Sequence, residues 1–259
     1  MPAPHDDLDL ATEAALAAGV EVRARFGNAG DVRYKSAEQP VTQADLAADA
    51  ILRERLTAAR PTYGWLSEET ADSGDRLNRA RVWVVDPIDG TNSFVAEIPE
   101  FVVSVGLVVE GITNVAVVYN PIRNEMYRAV RGGGAWLGET AIRTAEPPAR
   151  GALPLMLGSR WEVENGVLGH YGASWRLRTM GSTAYRMVKV AEGVAHAFVS
   201  PARKNEWDVC AAALVVEEAG GAVADGDGVP LRFNQEDPVL HGIMAWGTPT
   251  APRPPLASR

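Results

Sequence analysis

Cysteine is almost absent from this chain: Cys210 is the only one in 259 residues. No disulfide framework and no cysteine-rich zinc site can form within it. The four histidines, His5, His170, His196 and His241, are scattered and do not form the HExxH pattern of a zinc enzyme. Any metal therefore falls to oxygen ligands. Positive charge is also short. Lys and Arg number 25 against 33 Asp and Glu, a formal net charge of −8, which removes any general attraction for nucleic acid or an anionic membrane. Long apolar runs are missing too. The longest, around Phe101 to Val109, is broken by Ser104 and Gly106 and falls far short of a membrane span. The N-terminal MPAPHDDLDLA has neither the basic nor the apolar region of a signal peptide. These absences point to a cytoplasmic protein with no nucleic-acid or membrane partner. What is present suits a globular fold: 46% hydrophobic and 22% charged residues exclude general disorder. The length allows one large domain or two modest ones.

Periodicity predicts a helix over 7–26 closed by Gly27, and a second from Thr42 that stops before Pro61. Thr42 and Asp45 have the spacing of a capping box, with a shorter arm than the usual Glu. Short strands are expected at Tyr63–Ser67 and Arg81–Val85. A hairpin of FVVSVGLVV and ITNVAVVYN should turn at Glu110-Gly111, and a strand should follow at Glu125–Ala129. TAEPPARGALP is Pro-rich and marks a junction near residue 145. Beyond it, strand and helix signals alternate: strands at Leu153–Gly158 and Ala195–Val199, helices at Ser182–Glu192 and Trp207–Ala219. The organisation expected is an N-terminal α+β part (1–145), a C-terminal α/β part (146–248) and a Pro-rich, disordered tail (249–259).

Three segments share one design, with carboxylates at a strand end or helix start: Glu68-Glu69, Asp86-Pro87-Ile88-Asp89-Gly90-Thr91, and Trp207-Asp208. In the second, a buried strand delivers Asp86, and Pro87 cannot extend the sheet ladder and is expected to force a turn. Asp89 then returns to the same side. Gly90 allows close backbone approach, and Thr91 opens a helix whose N–H groups suit a phosphate oxygen. Two carboxylates and the Ile88 carbonyl are hard ligands suited to Mg²⁺. Alone, each segment also reads as a plain turn, a solvated acidic pair or a helix cap; the joint pattern is what points to a metal site. Asp225-Gly226-Asp227-Gly228 lacks the twelve-residue loop and terminal Glu of a calcium hand and reads as a tight turn. Cys210 lies in an apolar helix face and reads as core.

These motifs resemble the inositol monophosphatase superfamily of Mg²⁺-dependent, lithium-sensitive phosphatases. The likeness rests on Glu68-Glu69, WVVDPIDGTNSF at 83–94 and WDVCAAALVVEEAGG at 207–221, in that order. PVTQAD at 40–45, YNPIRNEMYRAVRGGGAW at 119–136 and GSTAYRMVKVAEG at 181–193 extend it over nearly the whole chain. The resemblance implies a layered αβαβα sandwich of the inositol monophosphatase and fructose-1,6-bisphosphatase type, with the site at the junction of the two parts. It implies two or three Mg²⁺ ions held by Glu68, Asp86, the Ile88 carbonyl, Asp89 and Asp208, with Glu69 near a weaker site. It implies catalytic roles for Glu68, Thr91 and Asp45 in orienting the attacking water, and Gly90, Thr91, Asn92, Lys35 and Ser182 on the phosphate side. Members often form homodimers.

For the substrate, a small phosphorylated metabolite, the resemblance divides. Inositol-selective members usually carry Glu seven residues before the metal-binding Asp; that position is Pro201 here. Lys204-Asn205-Glu206-Trp207-Asp208 looks more like bacterial 3′(2′),5′-bisphosphate nucleotidases, with Arg203 and Lys204 as charge for a second phosphate. Against this, Asn92 stands where that group commonly has a basic residue. The expectation is a nucleotidase acting on 3′-phosphoadenosine 5′-phosphate, with inositol 1-phosphate as the alternative and histidinol phosphate or fructose 1,6-bisphosphate behind both.

Overall fold

The computed structural model describes residues 4–28, 30, 32–36, 39–247 and 254. The tail from Pro249 therefore lies, apart from Pro254, outside the described residues. Helices α1 (Pro4–Arg25) and α2 (Gln43–Ala59) flank a ribbon of β1 (Arg33–Ser36) and β2 (Gln39–Val41). The expected capping box starts α2: Thr42 Oγ1 accepts from Ala44 N at 3.1 Å, and Asp45 Oδ2 accepts from Thr42 N at 2.8 Å. The short Asp arm suffices because Thr42 Oγ1 also donates to it at 2.6 Å.

A seven-stranded sheet follows, built in sequence order from β3 (Gly64–Ser67), β4 (Arg81–Asp89), β5 (Val102–Val109), β6 (Ile112–Asn120), β7 (Glu125–Val130), β8 (Ala135–Leu137) and β9 (Thr140–Ala141). The β3–β4 pair is parallel and the others are antiparallel. The short helix α3 (Thr91–Val95) leaves β4 directly. Strands β4, β5 and β6 read as unbroken apolar runs because both faces are covered. Trp83, Val85, Val103, Val105, Val115 and Val117 pack with α1 and α2. Val82, Val84, Val102, Val108, Ala116 and Val118 pack on the other side, with the apolar residues of two later helices.

The second half supplies β10 (Leu155–Gly158), α4 (Arg160–Glu164), β11 (Arg176–Thr179), α5 (Thr183–Ala191), β12 (Ala197–Asn205), α6 (Glu206–Glu218), β13 (Ala222–Asp225) and β14 (Val239–Trp246). Its five-stranded sheet has the order β11-β10-β12-β14-β13. Helices α5 and α6 lie between the two sheets and share one core with both. On the far face Met156, Ala197, Val199 and Met244 pack under Leu168, Tyr171 and Trp175. The layers are thus αβαβα, as expected. Among the described residues no helix is long and apolar enough to cross a membrane.

Two boundaries differ from expectation by four residues or more. Strand β12 runs to Asn205, six residues beyond Val199, because β14 pairs with it beyond a register shift between Ser200 and Arg203. Strand β4 does not stop at Val85 before a turn at Pro87. It continues to Asp89, and Asp86 and Asp89 pair with Ser104 and Val102 of β5. Three steps on one strand match two on the other, so a one-residue bulge absorbs Pro87 and spares it a ladder hydrogen bond. The Asp225 turn forms as read, with Oδ1 accepting from Asp227 N and Val229 N at 2.9 and 2.8 Å.

Gly106 fixes how closely α6 approaches β5. A Cβ there would lie 2.6 Å from the sulfur of the buried Cys210 and 3.4 Å from Ala211 N. Gly106→Ala is expected to cost about 1–3 kcal/mol by overpacking, and adding Cys210→Ala to recover part of it. Denaturant unfolding of the two variants checks this; a Gly106→Ala protein as stable as the parent would show that the contact yields.

Candidate metal centre

Asp86 continues the side of β4 that carries Val82 and Val84, so strand alternation turns it toward the α5–α6 layer. The bulge then brings Asp89 round beside it. Asp208 arrives from the other half, in the first turn of α6, where its Oδ2 accepts from Asn205 N at 2.8 Å. It is therefore both the cap expected of a lone Asp there and a member of the site. Ligand oxygens of Asp86, Asp89 and Asp208 lie within 4.8 Å of one another.

Each carboxylate is held differently. Asp89 is locked by the start of α5: Ser182 Oγ donates to Oδ2 at 2.5 Å, Ala184 N to Oδ2 at 2.5 Å and Thr183 N to Oδ1 at 3.2 Å. Asp86 has less support. Its Oδ1 accepts from Ile88 N at 3.0 Å, while its buried Oδ2 has no hydrogen-bond partner among the described residues. Burial drives the Asp86 carboxyl well above the usual carboxylate range, and the charges of Glu68, Asp89, Asp208 and Asp45 push it further. Burial also raises Asp89, against the hydrogen bonds from Ser182, Ala184 and Thr183 and the charge of Arg186. Asp208 is pushed up to about 6 by burial and by the charge of Asp89, against the charge of Lys204.

Such a cluster is unfavourable alone. Burying like charges together costs several kcal/mol per ion unless a cation compensates. Buried polar atoms are also rarely left orphaned. The orphaned Asp86 Oδ2 and an all-oxygen donor set both fit a divalent hard cation such as Mg²⁺.

The remaining residues singled out in the sequence fall as follows. Glu68 and Glu69 follow β3. They lie outside the close trio, yet the Glu68 charge bears directly on Asp86. Ile88 is buried; Thr91 Oγ1 lies 3.0 Å from its carbonyl oxygen and 3.0 Å from Asp45 Oδ1, and its one proton serves one of the two at a time, so the carbonyl keeps a free lone pair. Burial raises Asp45 in spite of its bonds from Thr42 and Thr91. Gly90 has φ 101°, and a Cβ there would sit 3.0 Å from Ser182 Cβ and 3.1 Å from Glu100 O, so both backbone and space demand glycine. Asn92 follows Thr91 in the first turn of α3. The hydroxyl of Ser182, expected on the phosphate side, is committed to Asp89 and to Tyr185 N at 2.9 Å. Lys35 lies on β1, and its side chain is outside the described residues.

Asp49 supports the site from outside the three acidic segments. Buried Asp49 accepts from Ser67 Oγ at 2.5 Å and Thr70 Oγ1 at 2.8 Å, tying the segment with Glu68 and Glu69 to α2. Its signal was present: Asp45 and Asp49 are four apart on one helix and so share a face.

Comparison with known proteins shows the family. The sequence model of the inositol monophosphatase family matches residues 4–247. The chain belongs to that family and is accordingly a hydrolase of phosphomonoesters. It is 36% identical over 237 residues to the inositol-1-monophosphatase of Rhizobium meliloti (strain 1021), covering 87% of this chain and 88% of that one. It is 29% identical over 263 residues to the Nus factor SuhB of Escherichia coli (strain K12), covering 98% and 96%. Among solved structures, the Thermotoga maritima IMPase superposes with a TM-score of 0.80 at 27% identity, covering 93% of this chain and 92% of that one.

Two outcomes follow for the protein without added metal. Asp86→Asn removes an uncompensated buried charge. The metal-free variant is expected to unfold at or above the parent's temperature and to lose the rise in Tm that Mg²⁺ gives the parent; a parent-sized rise would sink the assignment. Second, Asp208 titrates near 6 when folded against an ordinary ~3.9 unfolded. The folded state holds the extra proton, so the contribution of Asp208 to metal-free stability is fully present below about 4 and is lost as pH rises through about 6. Thermal unfolding across this window, with and without Mg²⁺, checks the sign; Mg²⁺ should flatten the slope, and so should Asp208→Asn.

Proposed function

We propose that this chain is a Mg²⁺-dependent phosphatase of inositol monophosphate. The observation that carries the reading is the Asp86–Asp89–Asp208 cluster with its orphaned oxygen. The substrate rests on the relatives, which are named inositol-1-monophosphatases and match over most of both chains. The nucleotidase expectation drew on Glu206-Trp207-Asp208, and that support weakens. The Glu206 carboxylate is taken up by the backbone N–H groups of Asn234 and Gln235, at 2.6 and 2.8 Å. It is an internal brace and carries no information about the ligand.

In this reading Asp86, Asp89 and Asp208, with Glu68 and the Ile88 carbonyl, hold the cation, and Glu69 serves a weaker position. Mg²⁺, when bound, neutralises phosphoryl charge and makes a nearby water more acidic. Thr91 and Glu68 orient that water. The Thr91 hydroxyl can accept from water while donating to Asp45 Oδ1, and Thr42 fixes Asp45 through both its N–H and its hydroxyl. The N–H groups of Gly90 and Thr91, with Asn92 and Lys35, receive the phosphate. Phosphoryl transfer asks mainly for positioning and charge neutralisation, so no covalent nucleophile is needed. The buried Cys210, raised far above its ordinary range by desolvation, is not one. The enzyme works in the cytoplasm and is inhibited by lithium.

Phosphate release from inositol 1-phosphate and 3′-phosphoadenosine 5′-phosphate, with and without Mg²⁺, tests the proposal. Turnover should require Mg²⁺, and kcat/KM should favour inositol 1-phosphate by about tenfold or more, ~1.4 kcal/mol in transition-state binding. Preference for the bisphosphate would restore the nucleotidase reading, and metal-independent turnover would defeat both.

A further inference from the structure

Asp89 receives three donors from the first turn of α5, and that turn is not in a restful conformation. Ser182 has φ 57°, in the left-handed region that a non-glycine residue rarely adopts. Something must hold it there. The side chain of Arg186, one turn along α5 and almost wholly buried, is placed to do so. Its Nε donates to Ser182 O at 2.9 Å, and its Nη2 donates to Thr183 Oγ1 at 3.3 Å. Its Nη1 donates to Glu162 Oε2 at 3.2 Å, and its guanidinium carbon lies 4.9 Å from the centre of the Phe198 ring.

Glu162 is in turn fixed from three directions. Its Oε2 accepts from Ser159 N at 2.9 Å, closing the capping box of α4. Its Oε1 accepts from Ser200 Oγ of β12. Its ion pair with Arg186 is buried on both sides, with 3% of each side chain exposed. A buried pair is a poor way to gain stability. A planar guanidinium that reaches a carbonyl, a hydroxyl, a carboxylate and a ring face together is a good way to fix geometry. The cation also acts on Asp89 and Asp208, where it offsets part of the acidic crowding.

We propose that Arg186 is a positioning residue for the metal centre: anchored by Glu162, it holds the Ser182–Ala184 turn in the conformation that orients Asp89 toward Mg²⁺. The role rests on reading the carboxylate cluster as a Mg²⁺ site. It makes no contact with substrate, and removing it should appear as weakened metal binding ahead of weakened substrate binding.

The test compares the full-length parent with Arg186→Lys, which keeps the charge and loses the fork, Arg186→Met, which loses both, and Glu162→Gln. Mg²⁺ is titrated against Tm without substrate, and separately against turnover of inositol 1-phosphate. Both Arg186 variants should need about 10–100-fold more Mg²⁺ for half-effect in each titration, the usual range when a partner of a metal ligand is removed. At saturating Mg²⁺ KM should stay within about threefold of the parent's, since ground-state binding of substrate is untouched. A folded Arg186→Met with the parent's Mg²⁺ titration would overturn the proposal. So would parental behaviour in Arg186→Lys, which would leave a role for charge alone. If neither Arg186 variant folds, Glu162→Gln decides. It can keep the bonds to Ser159 and Ser200 while lacking the charge that anchors Arg186, so a raised Mg²⁺ requirement supports the proposal and an unchanged one ends it. A parent whose Tm ignores Mg²⁺ would defeat the metal reading itself, and the proposal with it, before any variant is compared.

Discussion

The structure is organised around an electrostatic cost. Three carboxylates from two halves of the chain meet with ligand oxygens within 4.8 Å, and Glu68 and Asp45 lie close enough for their charges to act on Asp86. Everything near them reduces that cost or distributes it. Asp45 is satisfied by a helix cap, Asp89 by the turn opening α5, and Asp208 by the cap of α6. Of these four carboxylates, Asp86 keeps a buried oxygen with no hydrogen-bond partner among the described residues. That imbalance suits the site to a cation, because free energy lost by desolvating the carboxylates would return if positive charge entered.

The same helix starts serve folding and function. The first turns of α2, α5 and α6 each contribute a carboxylate or its donors. Helix ends carry unpaired backbone groups that local side chains must satisfy. Here Asp45 and Asp208 do so while facing the cluster. The β4 bulge does the equivalent for the sheet, turning Asp89 to the side of Asp86 without breaking the strand.

Much of this was legible in the sequence, and for local reasons. The doubly buried strands read as apolar runs, the Thr42–Asp45 box as a three-residue spacing, and the acidic trio as motifs at strand ends and a helix start. What escaped was pairing across long separations. Ser182 reads as a polar residue before a helix, but its hydroxyl belongs to Asp89, 93 positions earlier. Glu206 reads as part of a ligand motif, but its carboxylate braces a loop 28 residues on. Glu162 has the three-residue spacing of a capping box with Ser159, and Arg186 lies inside a matched motif, but neither signal shows that the two side chains meet. Pro87 differs for another reason: the bulge leaves it outside the ladder, so the strand continues through it.

The seat of α6 has a wider consequence. Asp208 rides on this helix, while Asp86 and Asp89 belong to the sheet beneath it. The gap left by a missing side chain at Gly106, against the sulfur of Cys210, works as a spacer between the two halves of the cluster. Packing at this contact therefore bears on the spacing of the carboxylates. A methyl group added at Gly106, whose partner Val84 stands two residues before Asp86, would press on the helix that carries Asp208.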